Sequence, residues 1–483
     1  MNSFLFYEHE KIPYDSIRLF AKPSSRERLK AVLSKLWYER NRYGLPETIG
    51  EEYGPEIPEQ QFFTFYDTYA KAGNYVGVIR YDDITIQILP KIFESSHQRK
   101  DETVRSVNAH LIWWLSYGGK IKLPKSRTYW DTYELDLPDI LIFLFASLTK
   151  EDLIFNKHQT YVESEESLNV VRGRIDFKKY LTNYVTANPH IIPCIYSSLE
   201  IDNPFNRIVK YTARMLHSHT ENKEIRRLLE EIDWILDDVS LMPASVNDCN
   251  KVKISNLNDT MQVIIDYCRL FISGLTLKSS EDDLDIFAFL IPMEDLFEDF
   301  IFGFIKERFE YQNNVLSIVG QSGNKENQTQ WLATERTKKD VRYVFPIRPD
   351  IYVNRTNGDL ILDTKYKKIY SKEEAKELGR LKSGASIDDI YQMIGYAIKY
   401  KVSKIHLLFP DKLDTYDNLS SEYIIKDNLC EIDGEITIQY HRLPIINKNF
   451  ELFNNPEDEI KSVFETQAVK MDEVIEQILY AAD

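Results

Sequence analysis

The chain is poor in cysteine, with only Cys194, Cys249, Cys268 and Cys430 in 483 residues and no C-x-x-C pair among them. A disulfide framework needs closer and more regular spacing, so these are expected to be reduced thiols. Long hydrophobic runs are also missing. The longest, Ile140 to Ala146, is far short of the ~20 residues a membrane-spanning helix requires, and no span is expected. The opening residues, MNSFLFYEHEKIPYD, have no basic start followed by an apolar stretch and a small-residue cleavage site, which argues against a signal peptide and for a cytoplasmic protein. The nine histidines form no H-E-x-x-H or related cluster, so any metal is expected on carboxylates. A phosphate-cradling G-x-x-x-x-G-K-[ST] loop is absent too. The nearest string, Gly118-Gly119-Lys120, has Trp114 where the first glycine belongs, and the chain is not expected to hydrolyse nucleotide itself.

What is present is acid. The formal charge of −16 argues against attraction of nucleic acid to the whole surface, because a polyanion rewards clustered Lys and Arg. The charge is uneven, however. From Trp331 to Pro410 there are 16 Lys and Arg against 10 Asp and Glu, a net of +6 that leaves −22 for the remainder. Such a zone has an ordinary explanation as a solvated face, so it gains meaning only from the residues it surrounds.

With 43% hydrophobic content, a chain of this length can bury two or three cores, and the expected class is multidomain α+β. Residues 1–100 are expected to be β-rich, with an opening strand, a helix near Arg26 to Tyr43, and a hairpin whose arms YVGVIRY and ITIQILP meet at Asp82-Asp83. Residues 101–285 carry apolar residues at helical spacing in Val104 to Tyr117, Ile140 to Phe155, Phe205 to His217, Ile225 to Val239 and Met261 to Ile272. Asn-, Asp- and Ser-rich breaks at Ser245 to Asn258 and Lys278 to Asp285 are the candidate linkers. Residues 286–450 are expected to form a small α/β domain with a mixed central sheet. Its elements run Met293 to Glu310, Val341 to Ile347, Ile351 to Asn354, Leu360 to Tyr366, Ile390 to Tyr400 and Ile405 to Phe409. Residues 451–483 read as an acidic amphipathic helix that covers the chain's own core or, less simply, docks a partner.

Asn357-Gly358 lies between IYV and LILDTKY and suggests a tight type I′ turn, in which both central residues need positive φ. If Thr356 pairs with Asp359, Asp350 falls opposite Lys365, with Asp363 two residues away on the same strand. Side chains alternate with period two, so all three emerge on one face. Phosphodiester cleavage needs charge stabilisation on the attacking and leaving oxygens, which carboxylate-held Mg²⁺ supplies. Asp350 and Asp363 are therefore candidate metal ligands. Lys365 is a candidate to orient or help deprotonate water and to stabilise the charged transition state. A plain surface salt bridge would use the same residue types. A second D-x-K, Asp176-Phe177-Lys178, opens a candidate helix and has neither a strand nor an upstream Pro-Asp.

The order IRPDIYV, LILDTKY, YQMIGYA resembles the nuclease core of PD-(D/E)xK enzymes, and among them it is most similar to McrC, the nuclease subunit of McrBC modification-dependent restriction systems. PMEDLFEDF, RGRIDF with NPFNR, and GVIRYDDITIQILPKIF carry the same resemblance, which spans about Gly77 to Pro410. It implies a C-terminal PD-(D/E)xK domain with Asp350 and Asp363 on Mg²⁺, Lys365 as the catalytic lysine, and Glu298 as a further acidic residue. Helical geometry places Glu298 at the edge of the stripe formed by Leu296, Phe297, Phe300, Ile301 and Phe304. Gln392 and Tyr396 match a downstream Q-x-x-x-Y element. Ser386-Ile387-Asp388-Asp389 resembles a capping box opening that helix, whose Gln392, Tyr396 and Lys399 share a side expected to face DNA. Arg342, Arg348, Lys367 and Lys368 flank the centre and could grip phosphates.

The resemblance further implies an McrB-like AAA+ GTPase hexamer as partner, GTP used only through that partner, double-stranded and modified DNA as substrate, and motor contact through the β-rich segment ending at Phe93. This chain is longer than the compact McrC type, and the role of its extra helical material is open. Two other readings remain: a stand-alone PD-(D/E)xK DNA nuclease, and a catalytically inactive adaptor of an AAA+ ring.

Overall fold

The computed structural model describes residues 2–16, 18–42, 60–81, 84–95, 100–118, 136–156, 158–252, 259–274, 286–320, 330–336, 341–368, 385–413, 420–426, 435–449 and 460–480. The fold is mixed α and β, as expected from sequence, and it divides into two compact units: Met1–Leu137 with Thr276–Asp483, and Pro138–Leu275. Asp82-Asp83 and the break at Lys278 to Asp285 lie outside the described residues.

In the smaller unit, several helix starts are set by local polar chemistry. Asn203 accepts a hydrogen bond from Asn206 N at 3.0 Å and precedes Pro204 at the first helical position, so N-P-F-N opens Pro204–His217. Ser245, read from sequence as part of a linker, instead forms a capping box with Asp248 and starts the helix Val246–Lys251. Asp176 of the second D-x-K caps Phe177–Val185 by accepting from Lys178 N and Lys179 N. No side chain of that helix is buried. The unit also holds a sheet that helical periodicity does not reveal, in which Ile192–Glu200 pairs with both Thr160–Leu168 and Arg174–Ile175.

In the larger unit, the strands Asn2–Tyr7, Ile84–Leu89, Tyr75–Tyr81 and Ile286–Pro292 form one sheet in that order. Beside it Lys11–Pro13, Tyr69–Ala72 and Phe63–Phe65 make a second, and Phe6, Phe20, Leu33, Trp37 and Phe63 fill a shared core with the helix Pro23–Arg42. The strand Ile286–Pro292 runs directly into the helix Met293–Phe309, so the first sheet and the candidate site share a continuous stretch of chain.

The site stands on a six-stranded mixed sheet ordered Val315–Gly320, Ile351–Arg355, Leu360–Thr364, Lys404–Pro410, Glu435–Leu443, Ser420–Lys426. Its two central pairings, Leu360–Thr364 with Lys404–Pro410 and Lys404–Pro410 with Glu435–Leu443, are parallel. Strands this deep in a sheet read as continuous apolar runs, and Leu360–Thr364 is buried at every position. One face is covered by Ile387–Tyr400, where Met393, Tyr396 and Ala397 meet Ile361, Ile405 and Leu407. Met293–Phe309 also packs on Leu360–Thr364.

The terminal helix Ile460–Tyr480 covers the chain's own core. Phe464 stacks on Trp113 with centroids 4.4 Å apart, and Arg308 Nε donates to Asp472 Oδ1 at 2.7 Å. Gly303 lets the helix Lys100–Tyr117 approach Met293–Phe309 backbone to backbone, because a Cβ there would lie 1.9 Å from Tyr117 O. A methyl group at that contact must separate two helices. Gly303→Ala is expected to destabilise the larger unit by about 1–3 kcal/mol, read as a lower thermal midpoint; an unchanged midpoint would refute the close packing.

Candidate active site

The register of the hairpin corrects the sequence expectation. Ile351 pairs with Leu362, Tyr352 with Ile361 and Val353 with Leu360, so continuing outward sets Asp350 across from Asp363 and not from Lys365. The turn is wider than a two-residue type I′ turn. Only Gly358 has positive φ, at 109°, while Asn357 does not, and the tip is held from outside. Thr356 N donates to Asn314 O at 3.0 Å, and Asn314 Nδ2 donates to Asn357 Oδ1 at 2.7 Å. The shift is by two residues, which preserves the alternation and leaves all three residues on the same face.

Thr364 locks Asp350 in place, its backbone N and Oγ1 donating to Asp350 Oδ2 at 2.7 and 2.8 Å. Asp363 is fully buried, and among the described residues its carboxylate oxygens meet no backbone or neutral side-chain donor. Its compensation is an ion pair, with Lys365 Nζ 2.6 Å from Oδ2. Burial, then the charge on Asp350, pushes the Asp363 carboxyl up to about 7. Half-buried Glu298 is pushed up to about 8, first by burial and then by Asp350, Asp299, Asp295 and Asp363. The acid that the resemblance implied on the preceding helix therefore lies within the field of the other two.

Lys365 is held from three directions. Its backbone N donates to Leu408 O at 2.8 Å in the neighbouring strand, and its ammonium also donates to Gln392 Oε1 at 3.1 Å. Gln392 Nε2 donates to Tyr396 OH at 2.8 Å, and that hydroxyl donates to Arg348 O at 2.6 Å. Burial works against the ammonium, but Asp363, Asp350 and Asp389 outweigh it and hold Lys365 above its ordinary value. The Q-x-x-x-Y pair thus joins the lysine to the main chain two residues before Asp350.

Not every expected DNA contact faces outward. Tyr396 is only 3% exposed, a correction to the side read as open, because its ring fills the core beneath the helix while its hydroxyl bonds main chain. Lys367 is bonded to both oxygens of Asp389 at 2.8 and 2.9 Å, and Lys368 to Glu94 at 2.7 Å. Arg348 and Lys399 are half-buried and Arg342 is exposed. Ser386 and Asp389 do form the anticipated capping box, though the helix begins at Ile387 rather than just before Ile390. Sequence reasoning missed Thr364, Asp389's hold on Lys367, and the neighbours of Tyr366 described below. Nothing in local pattern signals such partners, which meet only when separate elements pack.

Among the described residues, no three His, Cys, Asp or Glu side chains stand as a group that could hold a metal ion. The donor chemistry is nonetheless apt. A buried carboxylate unmet by donors is costly, and a hard cation satisfies such oxygens. Asp363 is the residue that could hold one, with Asp350 and Glu298 beside it.

A family model described as McrBC 5-methylcytosine restriction system component matches residues 70–410. The chain belongs to this family. Among solved structures it is similar to one described as the refined half-complex from a tetradecameric assembly of Thermococcus gammatolerans McrB AAA+ hexamers with bound McrC. That match has TM-score 0.62 and 17% identity, covering 98% of this chain and 100% of that one. A cryo-EM structure of the Thermococcus gammatolerans McrBC complex matches with TM-score 0.48 and 20% identity over 65% of this chain and 90% of that one. No curated protein matches the chain. The McrC-like character read from its motifs stands on the family match. Among the described residues no helix is long and apolar enough to cross a membrane.

Carboxyls whose folded values are raised stabilise the fold while protonated and cease to do so as pH climbs through those values. For Glu298 and Asp363 the window runs from the ordinary carboxylate range to about 8. Metal-free protein is expected to lose thermal stability as pH rises through that window, with Glu8 and Asp411, each raised to about 7, acting in the same direction. Asp363→Asn should flatten part of that slope in a melting series; a slope identical to wild type would contradict the electrostatic coupling.

Proposed function

We propose that this McrBC-family chain is an McrC-like endonuclease subunit that cuts double-stranded DNA by Mg²⁺-assisted phosphodiester hydrolysis on a PD-(D/E)xK core. The observation that carries the reading is the convergence of Asp350, Asp363 and Lys365 on one face, with Glu298 in the same field. Asp350 and Asp363 would hold the metal, and Glu298, within their field, would have to draw closer to join them. When bound, Mg²⁺ would lower the cost of the charge that develops on the attacking and leaving oxygens.

The chain's own residues supply the rest. Lys365 stays protonated beside Asp363, which favours orientation of the nucleophilic water and stabilisation of transition-state charge over proton abstraction by a neutral amine. Gln392 aims that ammonium, and Tyr396 holds Gln392 against the backbone at Arg348. Thr364 fixes the rotamer of Asp350, so one ligand is ordered before any cation arrives. Arg348, Lys399, Arg342, Lys367 and Lys368 are the candidates for phosphate contact, with Lys367 and Lys368 bonded to Asp389 and Glu94.

The partner follows from the family and from the similar assembly of McrB AAA+ hexamers with McrC: an McrB-like GTPase ring would select modified DNA and consume GTP, since this chain carries no nucleotide loop. The β-rich segment through Phe93 is the proposed ring contact. In an assay of the chain with its partner ring, Mg²⁺ and GTP, Lys365→Ala is expected to lower cleavage roughly a hundredfold or more. Asp363→Ala or removal of the metal by EDTA should abolish it. Undiminished cleavage by either variant would sink the assignment, and cutting by the chain alone without GTP would favour a stand-alone nuclease.

A further inference from the structure

The N-terminal sheet reaches the candidate active site through a buried contact that neither the motifs nor the proposed chemistry uses. Glu8 follows the strand Asn2–Tyr7 and is 2% exposed. Its place is fixed by its own N donating to Leu89 O at 2.9 Å and by His9, which turns the chain in the left-handed region at φ 62°. Glu8 Oε2 accepts from Lys91 N at 2.9 Å and from Tyr366 OH at 2.8 Å. Lys91 Nζ donates to Tyr366 O at 2.9 Å and lies 4.3 Å from the centre of the Tyr366 ring.

Tyr366 is the residue after Lys365. Its ring also packs on Phe297, the residue before Glu298, with centroids 5.9 Å apart. One side chain therefore abuts the neighbours of two candidate site residues, and both its hydroxyl and its carbonyl are held by the N-terminal region. The same seam continues outward through Lys368 with Glu94 and through Leu413 N, which donates to Ile92 O at 3.0 Å.

We propose that Glu8, acting through Tyr366 and Lys91, is a positioning residue for Lys365 and Glu298, so that the N-terminal sheet forms part of the active site. The inference rests on the nuclease reading above. A tyrosine needed only for packing would not require its hydroxyl to meet a buried carboxylate, since a phenylalanine fills the same space without burying an acid. Misplacement of a catalytic group by a fraction of an ångström is costly in rate but not in binding, which gives the contact a kinetic signature.

The test uses the full chain under conditions in which it cleaves DNA, with Asp363→Ala as the reference inactive variant. Glu8→Leu and Tyr366→Phe should each lower kcat roughly ten- to a hundredfold with little change in KM for DNA. Glu8→Gln, which keeps an acceptor for Tyr366 and Lys91, should restore most of the rate. The Glu8→Leu/Tyr366→Phe double variant should be no worse than the poorer single one, because both remove the same link. Independently of cleavage, amide hydrogen exchange across residues 363–368 should quicken in Glu8→Leu and in Tyr366→Phe. If Glu8→Leu folds poorly, Tyr366→Phe, which removes a single oxygen, carries the test. Wild-type kcat in Tyr366→Phe beside an inactive Asp363→Ala would overturn the inference alone, as would unchanged exchange or additive losses. Cleavage by Asp363→Ala at the wild-type rate would overturn the nuclease reading beneath it.

Discussion

A carboxylate cannot be stripped of water without something replacing the water, and Asp363 has been stripped of nearly all of it. Its strand lies inside a six-stranded sheet under the helix Ile387–Tyr400, with the charge on Asp350 adding to the cost of burial. Among the described residues, Lys365 supplies the counter-charge, its ammonium 2.6 Å from Oδ2. Much of the surrounding structure can be understood as holding that uneasy arrangement still. Thr364 pins Asp350, Gln392 and Tyr396 steady Lys365, and the backbone at Lys365 is tied to Leu408.

The same economy explains why two remote segments converge behind the site. The strand Ile286–Pro292 completes the N-terminal sheet and then becomes the helix that carries Glu298. From the other end of the chain, Ile460–Tyr480 packs on Lys100–Tyr117, and Arg355 of the site hairpin donates through Nη1 to Leu479 O at 2.7 Å. The acid on the helix and the acids on the strands are thus fixed relative to one another by segments hundreds of residues apart. Rigid elements, more than loops, hold the cluster, as accurate placement of reacting groups requires.

Much of this was legible in the residues. Alternating apolar character predicted the hairpin arms Tyr75–Tyr81 and Ile84–Leu89, helical spacing predicted Lys100–Tyr117, Leu137–Phe155, Pro204–His217, Lys223–Ile235 and Asp259–Gly274, and Ser386 with Asp389 marked the helix over the site. The failures were of a different sort. The strand Thr160–Leu168 is largely exposed and its partner Ile192–Glu200 mostly half-buried, and neither carries the apolar alternation that betrays a strand. Val246–Lys251 is one short capped helix whose Ser and Asn residues look like a linker. Tyr396 was placed outward because helical geometry tells which residues share a side but not which side the sheet covers.

The sequence by itself determined that Asp350, Asp363 and Lys365 share a face, because alternation depends only on parity and survived a two-residue change of register. It also determined the acid-poor basic zone around them and the family to which the chain belongs. The tertiary structure decided which residues are opposite one another, in a turn wider than Asn357-Gly358 suggests and tied at its tip to Asn314. It decided as well that Tyr396 is a strut and that Glu8 reaches Tyr366. Such contacts join residues up to 358 positions apart, and they exist only once separate elements have packed, where no local spacing rule can anticipate them.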